Sequence, residues 1–155
     1  MTGRNDSPGS APETGPELVI TRLFDAPRSL VFKAWTEPEH LVRWLGPKDF
    51  AASAVRLDVR PGGTWSAVIT SPEGRSHGMA GVYREVAPPE RLVFTFAWDE
   101  EEAERMLIAL TFLERGGRTE MTFRQTGFRS AESRDSHREG WNECFDKLPG
   151  FLAQA

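Results

Sequence analysis

The sequence contains one cysteine and no long apolar run, and each shortage excludes a class of protein. A single cysteine, Cys144, in 155 residues rules out a disulfide framework and a zinc site built from cysteines. No apolar stretch approaches the ~20 residues that cross a bilayer, and no secretory signal core of roughly 7–15 apolar residues is present. We therefore expect a cytoplasmic protein with no membrane partner.

Basic residues and nucleotide-binding motifs are also scarce. The chain has 19 Lys and Arg against 23 Asp and Glu, giving a formal net charge of -4, so we expect no nucleic-acid partner. No P-loop, dinucleotide fingerprint or nucleophile elbow occurs, and we expect no cofactor. His137 and Cys144 fall on one predicted helix face, but two ligands do not make a closed metal site, so none is expected. Cys144 itself is interpreted as a small buried hydrophobe rather than a nucleophile.

The residues that are abundant predict one globular domain. Hydrophobic residues make up 39% of the chain, and five Trp and ten Phe supply the material of a core. Residues 1–16 are rich in Gly, Pro, Ser and Thr, which predicts a disordered N-terminal tail. The length suits a single domain, which we place at residues 17–155. Its oligomeric state is expected to be a monomer or a weak dimer.

Hydrophobic periodicity predicts a strand, two short helices, six further strands and a long closing helix. Asp25 is a candidate cap for the first helix, and Thr36 with Glu39 forms a candidate capping box for the second. The closing helix is predicted from its cap Ser130 to about Leu148, where Pro149 and Gly150 should end or kink it. The predicted strands cover residues 17–24, 53–59, 64–70, 77–86, 91–98, 105–114 and 118–127.

This order of elements predicts an α+β fold. Short turns between successive strands favour an antiparallel meander with one apolar face. The closing helix, whose own apolar face includes Trp141, Phe145 and Leu148, is the longest element available to cover that face. A sheet wrapped around a helix leaves a hollow wherever the facing side chains do not meet.

Four segments, in this order and spacing, resemble the START-like (SRPBCC, Bet v 1-like) superfamily. They read DAPRSLVFKAWTEPEHLVRWLGP, DVRPGGTW, GVYREVAPPERLVFTF and GWNECFDKLPGFL. In particular they resemble the branch named for the C-terminal domain of the activator of Hsp90 ATPase, over roughly residues 17–152. The resemblance implies a helix-grip fold, a curved antiparallel sheet around a long C-terminal helix, with a ligand-sized cavity between them. It does not imply one reaction, because members bind or cyclise lipids and polyketides, or act on chaperones.

Large side chains on the elements around this space are the candidate ligand contacts. Gln125 stands out as a polar residue on an otherwise apolar strand face, where it needs a partner that a ligand can supply. The alternative is that these residues simply fill a core, each contributing about 2 kcal/mol by burial. The candidates are Trp65, Met79, Phe94, Trp98, Phe112, Phe123, Gln125, Trp141 and Phe145.

The sequence thus predicts a protein that binds a small hydrophobic or aromatic molecule, lipid-like or polyketide-like. One alternative is an enzyme or self-sacrificing resistance protein of the cyclase or hydrolase type, in which His77 or Tyr83 moves a proton. Another is a stress protein that interacts with a chaperone. No paired acid and base is visible along the chain, so binding is preferred to catalysis.

Overall fold

The computed structural model describes residues 15–100 and 103–155, so residues 1–14 of the predicted tail lie outside it. Within the described residues the chain forms seven strands and three helices, in the predicted order. Their bounds are β1 (Leu18–Phe24), α1 (Arg28–Thr36), α2 (Pro38–Trp44), β2 (Ala51–Leu57), β3 (Thr64–Thr70), β4 (Ser76–Ala87), β5 (Arg91–Trp98), β6 (Met106–Arg115), β7 (Arg118–Thr126) and α3 (Ala131–Gln154).

All seven strands belong to one curved antiparallel sheet. Its order is β1-β7-β6-β5-β4-β3-β2, so β2 to β7 form the predicted meander. The first strand leaves its sequence neighbours and pairs with β7, where Leu18 stands opposite Gln125. This pairing places β1 at one edge of the sheet and β2 at the other.

Two irregularities interrupt the sheet. The β2–β3 register shifts between Ser53 and Arg56, and Ala54 there has a φ of 52°. A second shift lies in the β4–β5 pair, between Tyr83 and Glu85. Bulges of this kind bend a strand and increase its local twist. They fit the curvature that lets the sheet wrap around a helix.

The long helix α3 lies on the concave side of the sheet and supplies much of the core. Its buried residues Trp141 and Phe145 pack on Phe123 of β7, with ring centroids 4.9 and 5.4 Å apart. Arg22 of β1 ties the helix to the sheet edge through a 2.8 Å ion pair with Asp146. The fold class and the helix-grip arrangement expected from the sequence are therefore confirmed.

The start of α3 is as predicted, but its end is not. The Ser130 hydroxyl accepts a 3.0 Å hydrogen bond from the Ser133 amide, which confirms the cap. The helix then continues through Pro149 to Gln154, so it does not end at Pro149 and Gly150, while the alternative of a kink there stays a prediction. Proline removes one backbone hydrogen bond, and the burial of Leu148 and Leu152 on either side offsets that loss.

The predicted caps of the two short helices are also wrong. Pro27, not Asp25, occupies the N-cap position of α1, without a side-chain cap bond. Thr36 ends α1, where its hydroxyl donates back to the Phe32 carbonyl at 3.0 Å, instead of opening α2. Because α1 and α2 are separated by the single residue Glu37, Thr36 is still helical and cannot take the extended conformation of a cap. No helix in the described part of the chain is long and apolar enough to span a membrane.

Candidate ligand-binding cavity

A cavity of about 560 Å³ lies between α3, the strands β3 to β5, and the segment that follows α2. Its volume falls within the ~300–1,000 Å³ typical of small-molecule sites. The strands supply its floor, α3 one wall, and the segment after α2 a second wall that adjoins α3. The sheet and the helix therefore separate at this end of the molecule, whereas they are in contact around Phe123.

The floor of the cavity is apolar. Ile69 of β3, Met79 of β4 and Phe96 of β5 point to the same side of the sheet because side chains alternate along a strand. Trp141 and Cys144 approach from α3, one helical turn apart. All five side chains are buried, so the floor offers burial and little hydrogen bonding.

The mouth of the cavity is polar. His77, Asp99, Glu100 and Ser136 line it and are exposed to solvent. Asp99 directly follows β5, and its amide donates to the Gly78 carbonyl at 2.8 Å. A Cβ atom added to Gly78 would lie 3.3 Å from Oδ2 of Asp99, so this carboxylate lies on the sheet face opposite to Met79 and the cavity floor.

Trp98 and His137 join the floor to the mouth. The indole Nε1 of Trp98 donates a 2.9 Å hydrogen bond to Nε2 of His137. The other ring nitrogen, Nδ1, lies 2.9 Å from the Ser133 carbonyl oxygen, which only accepts. Nδ1 of His137 therefore donates to Ser133 while Nε2 accepts from Trp98, so both ring nitrogens are engaged in hydrogen bonds.

Two hydrogen bonds hold the segment after α2, which forms one wall of the cavity, against α3. The amide of Lys48 donates to Oε1 of Glu143 at 2.9 Å, and the Lys147 ammonium donates to the Phe50 carbonyl at 3.2 Å. Gly46 allows the turn, since its φ of 110° is one that other residues rarely adopt. This second wall is thus a loop held in place by side chains of α3.

The structure separates the sequence-predicted site residues into three groups. His77, Met79, Trp98 and Trp141 line the cavity, and their role as ligand contacts stays a prediction. A separate internal void of about 20 Å³ is bordered by Trp65, Tyr83 and Phe94, together with Met79 and Trp141. The remaining candidates lie fully buried in the packed core, away from the cavity: Phe112, Phe123, Gln125 and Phe145.

Gln125 finds its hydrogen-bond partners within the chain. Its Oε1 accepts from the Trp141 indole nitrogen at 3.0 Å, and its Nε2 donates to the Met106 sulfur at 3.2 Å. The expectation that a ligand supplies this partner is therefore corrected. Gln125 instead fixes the orientation of Trp141, one of the rings that forms the cavity wall.

The titratable candidates are poorly placed for joint proton transfer. Burial, and then the negative charge of Asp58, raises the pKa of the Tyr83 hydroxyl well above its ordinary value. Tyr83 borders the internal void, whereas His77 stands at the cavity mouth, edge-on to Trp98. Burial likewise raises the pKa of Cys144 to about 12, so the thiol is a protonated, buried group, as predicted.

Several cavity residues were missed by the sequence analysis. Leu45, Gly46, Pro47 and Phe50 line the cavity from the segment after α2, where Gly46 and Pro47 indicate a turn but not what that turn packs against. Asp99 and Glu100 directly follow β5 and are absent from the sequence-predicted site residues. Gly140 lies one turn from both Ser136 and Cys144, so helical spacing places it on the cavity face. In the described part of the chain no three His, Cys, Asp or Glu side chains are grouped as metal ligands.

Comparison with known proteins identifies relatives of this architecture. The sequence model of a family described as "Activator of Hsp90 ATPase homolog 1-like protein" matches residues 25–153. The structure resembles a protein from Chromobacterium violaceum at 24% identity, with a TM-score of 0.83 over 88% of this chain and 96% of that one. It resembles the AHSA1 protein from Silicibacter pomeroyi at 24% identity, with a TM-score of 0.81 over 90% and 99%.

A Rhodobacter sphaeroides protein is similar at 26% identity, with a TM-score of 0.79 over 93% of this chain and 97% of that one. A comparison with curated proteins finds no match. At these identities the solved structures establish the shared fold. Ligand and reaction have to be argued from the cavity itself.

Proposed function

This chain belongs to the family of Activator of Hsp90 ATPase homolog 1-like proteins, and we propose that it binds a small hydrophobic or aromatic molecule between its sheet and α3. The cavity of about 560 Å³ is the observation that supports this proposal. Protein interiors are packed as densely as organic crystals and contain few voids larger than a water molecule. A space of this size with an apolar floor is therefore suited to a ligand.

The chemistry of the floor sets the nature of the ligand. Ile69, Met79 and Phe96 offer aliphatic, thioether and aromatic surface, which favours an apolar or aromatic body. Each 100 Å² of apolar ligand surface removed from water there contributes about 2.5 kcal/mol. Burial of that kind needs no reactive group in the site.

The protonation states favour binding over proton-transfer chemistry. The Cys144 thiol and the Tyr83 hydroxyl keep their protons at neutral pH because burial raises both pKa values. The ring nitrogens of His137 are both engaged in hydrogen bonds. These three groups are therefore unsuited to act as bases or nucleophiles at neutral pH.

The first measurement is the native mass spectrum of freshly purified protein beside its denatured mass. We expect an additional mass in the native spectrum, or, for a protein purified without its ligand, saturable binding of naphthalene-sized compounds by calorimetry. A protein that shows neither result contradicts the proposal.

A matched pair of variants tests whether binding occurs in this cavity. A Cβ atom at Gly140 lies 3.7 Å from Pro47 Cγ, an ordinary contact, so Gly140→Leu extends into the cavity without a backbone clash. Gly150→Leu makes the same exchange on the same helix, where no atom lies within 4 Å of the new Cβ. Both variants gain about 1 kcal/mol of helix propensity. Binding should weaken about tenfold or more in Gly140→Leu only, and equal binding by both variants would locate the site elsewhere.

A further inference from the structure

One buried indole of the core has no hydrogen-bond acceptor. Trp35 of α1 is 4% exposed, and its Nε1 has no partner among the described residues. The other four indoles each have one: Trp44 the Ala34 carbonyl, Trp65 the Thr95 carbonyl, Trp98 the His137 ring and Trp141 the Gln125 side chain. A buried N–H without an acceptor has lost its hydrogen bonds to water and gained none in return. An acceptor that reaches Trp35 is therefore bound favourably.

The surroundings of Trp35 offer room for such an acceptor in one place. Five aromatic rings pack around the indole, and none is the acceptor of its proton in a conventional hydrogen bond: Trp44, Phe94, Phe123, Trp141 and Phe145. Trp35 also borders the internal void of about 20 Å³. Roughly 10–15 Å³ is enough for one water molecule. The void therefore has room for one oxygen-sized group beside Trp35.

The void adjoins the ligand cavity. Leu45, Met79 and Trp141 line both spaces, so single side chains separate them. Trp141 is held in place by its hydrogen bond to Gln125. Met79 is unbranched and has three rotatable side-chain bonds, which lets methionine adapt to what packs against it. Rotation of the Met79 side chain can therefore open a passage from the cavity floor to the void.

We propose that the void is the inner subsite of the cavity and takes a neutral oxygen acceptor of the ligand. The apolar body of the ligand lies on the floor, and a ketone or amide carbonyl passes Met79 and accepts the Trp35 N–H. This inference rests on the binding function proposed above and narrows its ligand class. A carboxylate is excluded from the subsite, because none of the described residues that border the void is charged and an unpaired buried charge is costly.

Two probes of equal shape test the preference for an acceptor. In 2-acetylnaphthalene a carbonyl oxygen stands where 2-isopropenylnaphthalene has a methylene group, and the two molecules are otherwise the same. Each is titrated into the full chain by calorimetry at neutral pH. The ketone should bind about tenfold more tightly than the hydrocarbon. Burial of apolar surface alone predicts the opposite order, because the hydrocarbon is the more hydrophobic compound.

A matched pair of variants assigns the preference to Trp35. Trp35→Phe removes the unpaired N–H and keeps an aromatic ring. Trp44→Phe makes the same exchange on a ring that contacts Trp35 but lines neither the cavity nor the void. The preference for the ketone should disappear in Trp35→Phe and persist in Trp44→Phe.

A measurement on the wild type accompanies these variants, because both exchanges reach into the core. The ketone, and not the hydrocarbon, should move the NMR signal of the Trp35 indole proton downfield, as a new hydrogen bond does. This readout does not depend on whether Trp35→Phe folds.

The outcomes separate this inference from the proposed function. If the wild type binds both probes with similar affinity, no ligand oxygen reaches Trp35, and the inference is overturned while small-molecule binding stands. If Trp35→Phe keeps the preference, or the Trp35 proton responds equally to both probes, another group binds the carbonyl and the inference fails. If neither probe binds, the proposed function is overturned together with the inference.

Discussion

Trp98 on β5 and His137 on α3 are joined across the cavity mouth by a hydrogen bond of 2.9 Å from the indole nitrogen to Nε2. His137 in turn donates from Nδ1 to the Ser133 carbonyl one helical turn earlier. Sheet and helix, which separate at this end to leave the cavity, are thus linked at its edge by two side chains. The orientation of Trp98, which lines the cavity, is therefore fixed by a residue of the helix.

Removing the acceptor should loosen this link measurably. His137→Leu leaves the half-buried indole N–H without its partner and should lower the free energy of unfolding by about 1 kcal/mol. In a Trp98→Phe background, His137→Leu should lower the free energy of unfolding by less, because the indole N–H donor is already absent. The difference between the two costs, measured by urea unfolding, is the coupling energy of the pair. Equal costs in both backgrounds would mean that the hydrogen bond contributes nothing to stability.

The hydrogen bond of Gln125 to Trp141 should contribute more to stability, because both side chains are buried. Gln125→Leu leaves the buried indole N–H of Trp141 without an acceptor. The free energy of unfolding, measured by chemical denaturation, should fall by about 2 kcal/mol. Adding Trp141→Phe removes the unpaired donor. The double variant should therefore lose less unfolding free energy than the two single variants lose together. If the double variant is less stable than the sum of the two single variants predicts, the hydrogen bond is not the source of the cost.

Gly81 occupies a position where a side chain has no room. Trp65 stands opposite it in the β3–β4 register, and the Trp65 indole donates across it to the Thr95 carbonyl at 2.9 Å. A Cβ atom at Gly81 would overlap the Thr95 carbonyl oxygen and lie 2.5 Å from the indole nitrogen. Gly81→Ala should therefore destabilise the fold by about 3 kcal/mol or more in thermal or urea unfolding. Gly150→Ala, with no atom within 4 Å of the new Cβ, is the control and should be neutral or stabilising.

The order and type of the elements could be predicted because they depend on local periodicity and turn residues. The residues that face the cavity could be predicted only in part, as His77, Met79, Trp98 and Trp141 were, because that property also depends on where the helix leaves the sheet. Phe94 and Trp98 share a strand face, yet Phe94 borders the small internal void while Trp98 stands at the cavity mouth. Which space each ring borders depends on the helix and loop residues that face it, and alternation along a strand carries no information about those.

The wrong predictions at helix ends have a similar origin. Thr36 has the residue type of a cap, and Pro149 that of a helix stop. In both cases the surroundings outweighed the local preference of the residue. Thr36 cannot cap α2 because a single residue links α1 and α2. Pro149 does not end α3 because the residues around it are buried. Gln125 was recognised as a buried polar residue that needs a partner, but the partner, Trp141, lies on another element and cannot be identified from strand parity.

Cys144 makes the stability of the protein fall at alkaline pH. Burial raises the pKa of its thiol from 9.0 to about 12 in the native state. Above about pH 9 the unfolded chain loses this proton while the native protein keeps it, so the native state binds more protons and unfolding becomes more favourable as the pH rises. The full contribution of the thiol is present below about pH 9 and decreases toward pH 12.

Cys144→Ala isolates this contribution. Between about pH 7 and pH 10 the wild type should lose about 1.4 kcal/mol more unfolding free energy than the variant, as expected for one proton over one pH unit beyond the unfolded pKa. Burial also raises the pKa of Tyr83, so this residue likewise lowers stability above about pH 10. Its effect is the same in the wild type and in Cys144→Ala and does not alter their difference. Urea unfolding at a series of pH values gives the two curves. Parallel curves would show that the native thiol ionises as readily as an exposed one, and that the cavity at Cys144 is open to water.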